Sequence, residues 1–67
     1  MVVRYYIREV NSLYYYFLFH GAEGFIPQID DAYIFNSRQD VLIFFDREEN
    51  NEILDGRILE IVEIFSF

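Results

Sequence analysis

His20 is the one imidazole in the chain, and the hydroxyls that could work beside it are Ser12, Ser37 and Ser66. Nucleophilic catalysis needs a base within hydrogen-bond reach of the nucleophile and a third group to orient that base. Ser12 falls in a turn between two apolar runs, Ser37 at a helix-capping position and Ser66 at the end of the sequence, so no such set is predicted. A single histidine does not build a multi-histidine metal site. The absence of cysteine excludes disulfides, thiolate zinc sites and thiol nucleophiles. Gly-Ala-Glu-Gly at 21–24 places an acid between its glycines and lacks the Lys-Ser/Thr of a phosphate-binding loop. The expectation is a protein that is not an enzyme and holds no cofactor and no metal.

Carboxylates are the abundant chemistry. Asp30-Asp31 and the run Asp46 to Glu52 lack the alternating oxygen ligands and central glycine of a calcium loop. Acids three or four apart on a helix lie about 5–6 Å from one another, and same-face residues of a strand recur at about 6.6 Å. Rows of that kind can present negative charge to a groove built for phosphates, which repeat at about 3.4 Å along a strand of nucleic acid. Asp46, Glu48, Glu49, Glu52, Asp55, Glu60 and Glu63 are the candidates for such a partner-binding row. Ordinary solubilising charge on an apolar chain accounts for the same residues.

The net charge of −7 is unevenly spread. Residues 1–22 hold two arginines and one acid, whereas residues 23–67 hold three arginines and 11 acids. Such a field repels nucleic acid and attracts basic protein surfaces. Every basic residue is Arg, the type suited to forked hydrogen bonding.

Aromatic residues make the second candidate surface. Val-Val-Arg-Tyr-Tyr-Ile-Arg-Glu-Val at 2–10 and Leu-Tyr-Tyr-Tyr-Phe-Leu-Phe-His at 13–20 flank Asn11-Ser12, a hairpin pattern. Alternation along a strand assigns Val3, Tyr5, Ile7, Leu13, Tyr15, Phe17 and Phe19 to a core face by their apolarity. Arg4, Tyr6, Arg8, Tyr14 and Tyr16, with His20, then form the opposite face. Tyr and Arg are enriched at protein–protein hot spots, and aromatic sheets also stack single-stranded bases. The basic-Gly-aromatic signature of RNA-binding sheets is missing, which places direct nucleic-acid binding last.

These residues need a scaffold. Residues 21–31 carry two glycines, the one proline and Asp30-Asp31, and read as a loop. Residues 32–35 suit a short strand. Val41 to Phe45 fits a buried strand or a helix; Ser37, with Asp40 three residues on, resembles a capping box and favours a helix over about 38–49, closed by Asn50-Asn51. Asp55-Gly56 signals a tight turn between strands at 53–54 and 58–59. Residues 58–65 are β-branched and are read as a strand rather than a helix. The expected fold is α+β: a small antiparallel sheet, made of an N-terminal hairpin and C-terminal strands, packed on one helix.

A 67-residue chain is one domain, and at this size folding buries only about 60% of the surface. With 54% hydrophobic residues, self-association, most simply as a homodimer, is the expected consequence. No apolar run reaches membrane-spanning length, and the N-terminus has no signal-peptide pattern, so the sequence reads as a complete soluble cytoplasmic protein. In size, acidity and the order of hairpin, Asp30 to Phe45 segment and closing Ile-Val-Glu-Ile-Phe strand, it resembles small inhibitors encoded by bacterial viruses and mobile elements, the anti-CRISPR type. That resemblance implies steric or DNA-mimicking blockade of a host nucleic-acid-handling protein, with the acids as candidate contacts.

Overall fold

A computed structural model describes residues 1–66. Its strands are β1 (Val2–Glu9), β2 (Tyr15–Phe19), β3 (Ala22–Ile26) and β4 (Leu59–Ser66); α1 spans Arg38–Arg47, and a 3-10 turn spans Ile29–Asp31. The strands form one antiparallel sheet in the order β3-β2-β1-β4, with α1 packed on one face. The α+β architecture expected from the sequence is the one observed.

The cap decides the helix. Ser37 Oγ accepts the Asp40 N–H at 3.1 Å, satisfying one of the first-turn donors. Val41, Phe44 and Phe45 then fall on the face toward the sheet. The helix stops at Arg47, two residues before the expected end, because the Asn51 N–H bonds to the Glu48 carbonyl and draws the chain into turns. β4 pairs with β1 without interruption, from Val2 against Ser66 to Glu9 against Leu59. Residues 58–65 are therefore strand from Leu59 onward, as preferred.

Three local expectations are corrected. Residues 21–31 are not a loop throughout: they begin with β3. His20 (φ 50°) and Gly21 (φ 83°) both adopt the left-handed conformation that a two-residue type I′ hairpin requires, and Phe19 pairs with Ala22 across it. Gly24, which suggested a loop, sits opposite Phe17, where an added Cβ would lie 3.1 Å from the ring; the missing side chain lets that ring cross the strand. Residues 32–35 do not form a regular strand. β1 and β2 pair at Arg8–Tyr15 and then separate, and this segment fills the gap, with Phe35 exchanging both hydrogen bonds with Tyr5 while the Tyr33 N–H donates to the Tyr16 carbonyl at 2.9 Å. Asp55-Gly56 turns the chain but joins no hairpin. β4 pairs with β1 instead, and Leu54 packs against the core.

The face assignment of β2 is inverted. Glu9 and Tyr14 close a loop over Val10–Leu13, with the Glu9 N–H donating to the Tyr14 carbonyl at 2.8 Å and Leu13 in the left-handed region (φ 61°). Arg8 opposite Tyr15 carries the register on to Ile7 opposite Tyr16. Residues directly opposite share a face, so Ile7 and Tyr16 point together toward α1, with Phe35 and Val41 completing the buried cluster. Even the expected Asn11-Ser12 turn, pairing Val10 with Leu13, would have imposed this register. Apolarity had assigned Tyr16 outward; the turn sends it inward.

Candidate binding surface

Tyr16 is 1% exposed and lies among the rings of Phe25, Tyr33 and Phe44. It is a core residue. Tyr6 does lie on the sheet face away from the helix, with Arg4 and Arg8, but it is buried there edge-on against Tyr15 at 6.1 Å. The Arg8 guanidinium sits 5.8 Å from the Tyr15 ring, and its Nε donates to Glu60 Oε1 at 2.8 Å. Among the tyrosines of the expected aromatic face, only Tyr14, at 42%, offers exposed ring surface. The set Arg4, Tyr6, Arg8, Tyr14 and Tyr16 is thus not one contact surface.

The seven candidate acids divide into two groups. Glu60 is held by Arg8, and Glu63 lies 3.6 Å from Arg38. Asp46, Glu48, Glu49, Glu52 and Asp55 gather at the opposite end of α1, on its last turn and the turns that follow. Among the described residues none of these five makes an ion pair. The C-terminus of a helix already carries partial negative charge, so carboxylates there add to it, and the one cation of the same turn, Arg47, makes no ion pair with them among the described residues. Arg57, also at this end, stacks 4.3 Å over Phe25 and donates to the Ile53 carbonyl.

Tyr16, Glu23 and Asn51, of which the sequence had given Glu23 no role, join this end to the core. The Tyr16 hydroxyl donates to Glu23 Oε2 at 2.7 Å, and Asn51 Nδ2 donates to Glu23 Oε1 at 3.1 Å and to Glu48 Oε2 at 2.9 Å. One amide thereby fixes a carboxylate of β3 beside one that follows α1. Burial first, and then the Glu23 carboxylate, push the Tyr16 phenol well above its ordinary value. Glu23 lay in a segment read as loop, and Tyr16 on the face assigned to solvent; only the hairpin register could have exposed the link.

Beside the acids lies a groove of about 460 Å³ between α1 and β2. Leu18, Ile34 and Ile43 form its apolar wall, and Glu23, Asp40, Arg47 and Glu48 its charged rim. All three apolar residues are more than 40% exposed. Leu18 and Ile34 also border a second hollow of about 600 Å³, where Phe19 and Asp30 are found. Exposed apolar surface with a charged border marks a protein-contact site. His20 rests against the Phe19 ring on the hairpin turn. Among the described residues no group of His, Asp and Glu side chains could hold a metal ion, and no helix is long and apolar enough to cross a membrane. No protein-family model, curated protein or solved structure matches the chain.

Proposed function

We propose that the chain is a non-enzymatic binding protein, a small acidic inhibitor of the anti-defence type that occupies a basic, nucleic-acid-binding site on a partner protein. One observation carries the reading: Asp46, Glu48, Glu49, Glu52 and Asp55 collect, without ion-pair partners among the described residues, where the helix dipole is itself negative. Such crowding destabilises a fold, and sites that sacrifice stability are commonly sites of function. The groove edged by Glu48 and walled by Leu18, Ile34 and Ile43 adds apolar contact alongside the charge. An acidic field steers the protein toward basic surfaces and makes association sensitive to salt.

The test uses the partner captured from the cell that hosts the gene. Titration calorimetry compares wild type with a variant carrying Asp46→Asn, Glu48→Gln, Glu49→Gln, Glu52→Gln and Asp55→Asn. The expected result is binding that weakens steeply with salt, is competed by the partner's own nucleic acid, and drops by more than about tenfold in the variant. Unchanged binding by that variant, with loss in Tyr14→Ala, would sink the proposal and favour an assembly or antitoxin-type module. Direct binding of single-stranded RNA at physiological salt would overturn both.

A further inference from the structure

The outer edge of β4 is built to accept another strand. Val10 donates to the Ile58 carbonyl at 2.8 Å, so in the uninterrupted β1–β4 register the even-numbered residues of β4 bond inward to β1. The N–H and C=O groups of Leu59, Ile61, Glu63 and Phe65 consequently point outward. Among the described residues no backbone hydrogen bond from outside the sheet reaches them. Edge strands are normally protected by shortness, lysine, proline, a bulge or a covering segment. β4 has eight residues, an unbroken register, and neither Lys nor Pro. Its two carboxylates, Glu60 and Glu63, are each met by an arginine of the same chain, so the edge lacks free guarding charge. Ile64 and Phe65 are 40% and 54% exposed. The other edge, β3, has five residues and ends at Pro27.

We infer that two copies of the chain join β4 to β4 about a two-fold axis at Val62, making one continuous antiparallel sheet across the dimer. The occupant is a second copy because the strand is complementary to itself in this register. Leu59 meets Phe65 of the other copy and Ile61 meets Glu63, so all four outward residues bond, giving about eight hydrogen bonds across the join. Val62 meets its own equivalent, and Glu60 meets Ile64. No carboxylate faces another. Sliding the strands by one step in one direction opposes Glu63 to Glu63, and by two steps in the other opposes Glu60 to Glu60; the intermediate register leaves Phe65 unpaired. The dimer leaves the acidic end of α1 free, so this inference stands or falls independently of the proposed function.

Sedimentation equilibrium on the full chain, up to about 100 μM, reads the association, and a reversible dimer is expected. The chain has no cysteine, so single substitutions report the register cleanly. Val62→Cys places two thiols in a non-hydrogen-bonded pair with Cα atoms about 4.5 Å apart, within disulfide reach. Ile64→Cys separates its two copies by four residues along the strands, about 13 Å. Under oxidised glutathione Val62→Cys should cross-link at least about tenfold faster than Ile64→Cys. Glu63→Pro deletes an N–H that only the dimer uses and should give a folded monomer by circular dichroism. A wild-type monomer throughout, equal cross-linking of the two cysteine variants, or a persistent Glu63→Pro dimer would each overturn the inference; should Glu63→Pro fail to fold, the cysteine pair still decides.

Discussion

Replacing Tyr16 by Phe removes one oxygen from the centre of the protein and leaves the ring in place. That oxygen donates to Glu23 at 2.7 Å, and Glu23 also receives Asn51, which in turn holds Glu48. A hydrogen bond to a charged group contributes about 1.5–3 kcal/mol when buried; with Glu23 half-exposed, about 1–2 kcal/mol is expected after allowing for solvent screening. For a domain of this length each kcal/mol shifts Tm by about 4–8 °C, so Tyr16→Phe should melt roughly 4–16 °C below wild type. Tyr16→Ala also empties a ring-sized volume among Phe25, Tyr33 and Phe44, costing about 3–5 kcal/mol. Total stability for a chain this short is only about 3–10 kcal/mol, so Tyr16→Ala should lose a large part of it. Tyr14→Ala, at an exposed position, should stay within about 0.5 kcal/mol of wild type. Urea unfolding followed by circular dichroism measures all three, and a cycle with Glu23→Ala isolates the coupling at about 1 kcal/mol. The raised phenol adds an alkaline signature: the folded state retains the proton longer, so stability is full below the unfolded value near pH 10 and is lost as pH rises. Tyr16→Phe should lose less on that side. A Tyr16→Phe protein as stable as wild type, with no coupling to Glu23, would refute the assignment of Tyr16 to the core network.

Acid exposes a different group. The Ser12 N–H donates to Glu9 Oε2 at 2.6 Å and, ahead of weaker help from Asn11 and Arg57, holds the carboxylate below its usual range. Its stabilisation is therefore fully present above the unfolded value, about pH 4.3, and is lost as pH falls through the lower folded value; Glu9→Gln should flatten that limb of a pH–stability curve. Ser37→Ala deletes the acceptor for the Asp40 N–H and should cost about 0.5–2 kcal/mol by urea unfolding. Neutralising Glu49 to Gln at the C-terminal end of α1 should raise stability by about 0.3–1 kcal/mol at low ionic strength, a gain that disappears in high salt.

The helix was legible because its signals are local. Ser37 and Asp40 are three residues apart, and the stripe of Val41, Phe44 and Phe45 needs no knowledge of the rest of the chain. β4 was legible as a strand from its β-branched run, and the antiparallel α+β class followed from the two together. The site was harder. Asp46, Glu48, Glu49, Glu52 and Asp55 were visible as acids, but a list of acids does not reveal which ones arginines neutralise. Arg8 meets Glu60 across 52 positions of sequence, and Arg38 meets Glu63 only because α1 starts beside β4. β3 stayed hidden because Gly24 lowers strand propensity by itself and makes sense only opposite the ring of Phe17.

Composition and local pattern alone determined the acidic character, the lack of thiol chemistry, the capped helix and the terminal strand. Strand pairing, in the register that the Asn11-Ser12 turn itself implies, decided which way the aromatic residues of β2 point, and tertiary structure decided what they meet there. Apolarity ranks the face of Leu13, Phe17 and Phe19 above that of Tyr14 and Tyr16 for the interior, yet a side chain on a strand has only two directions, and the register with β1 chooses between them for the whole strand at once. Tyr16 went inward because Ile7 lies opposite, and its hydroxyl then required Glu23 as a partner. From that one contact came the bridge through Asn51 to Glu48 that ties the acidic end of the helix to the core.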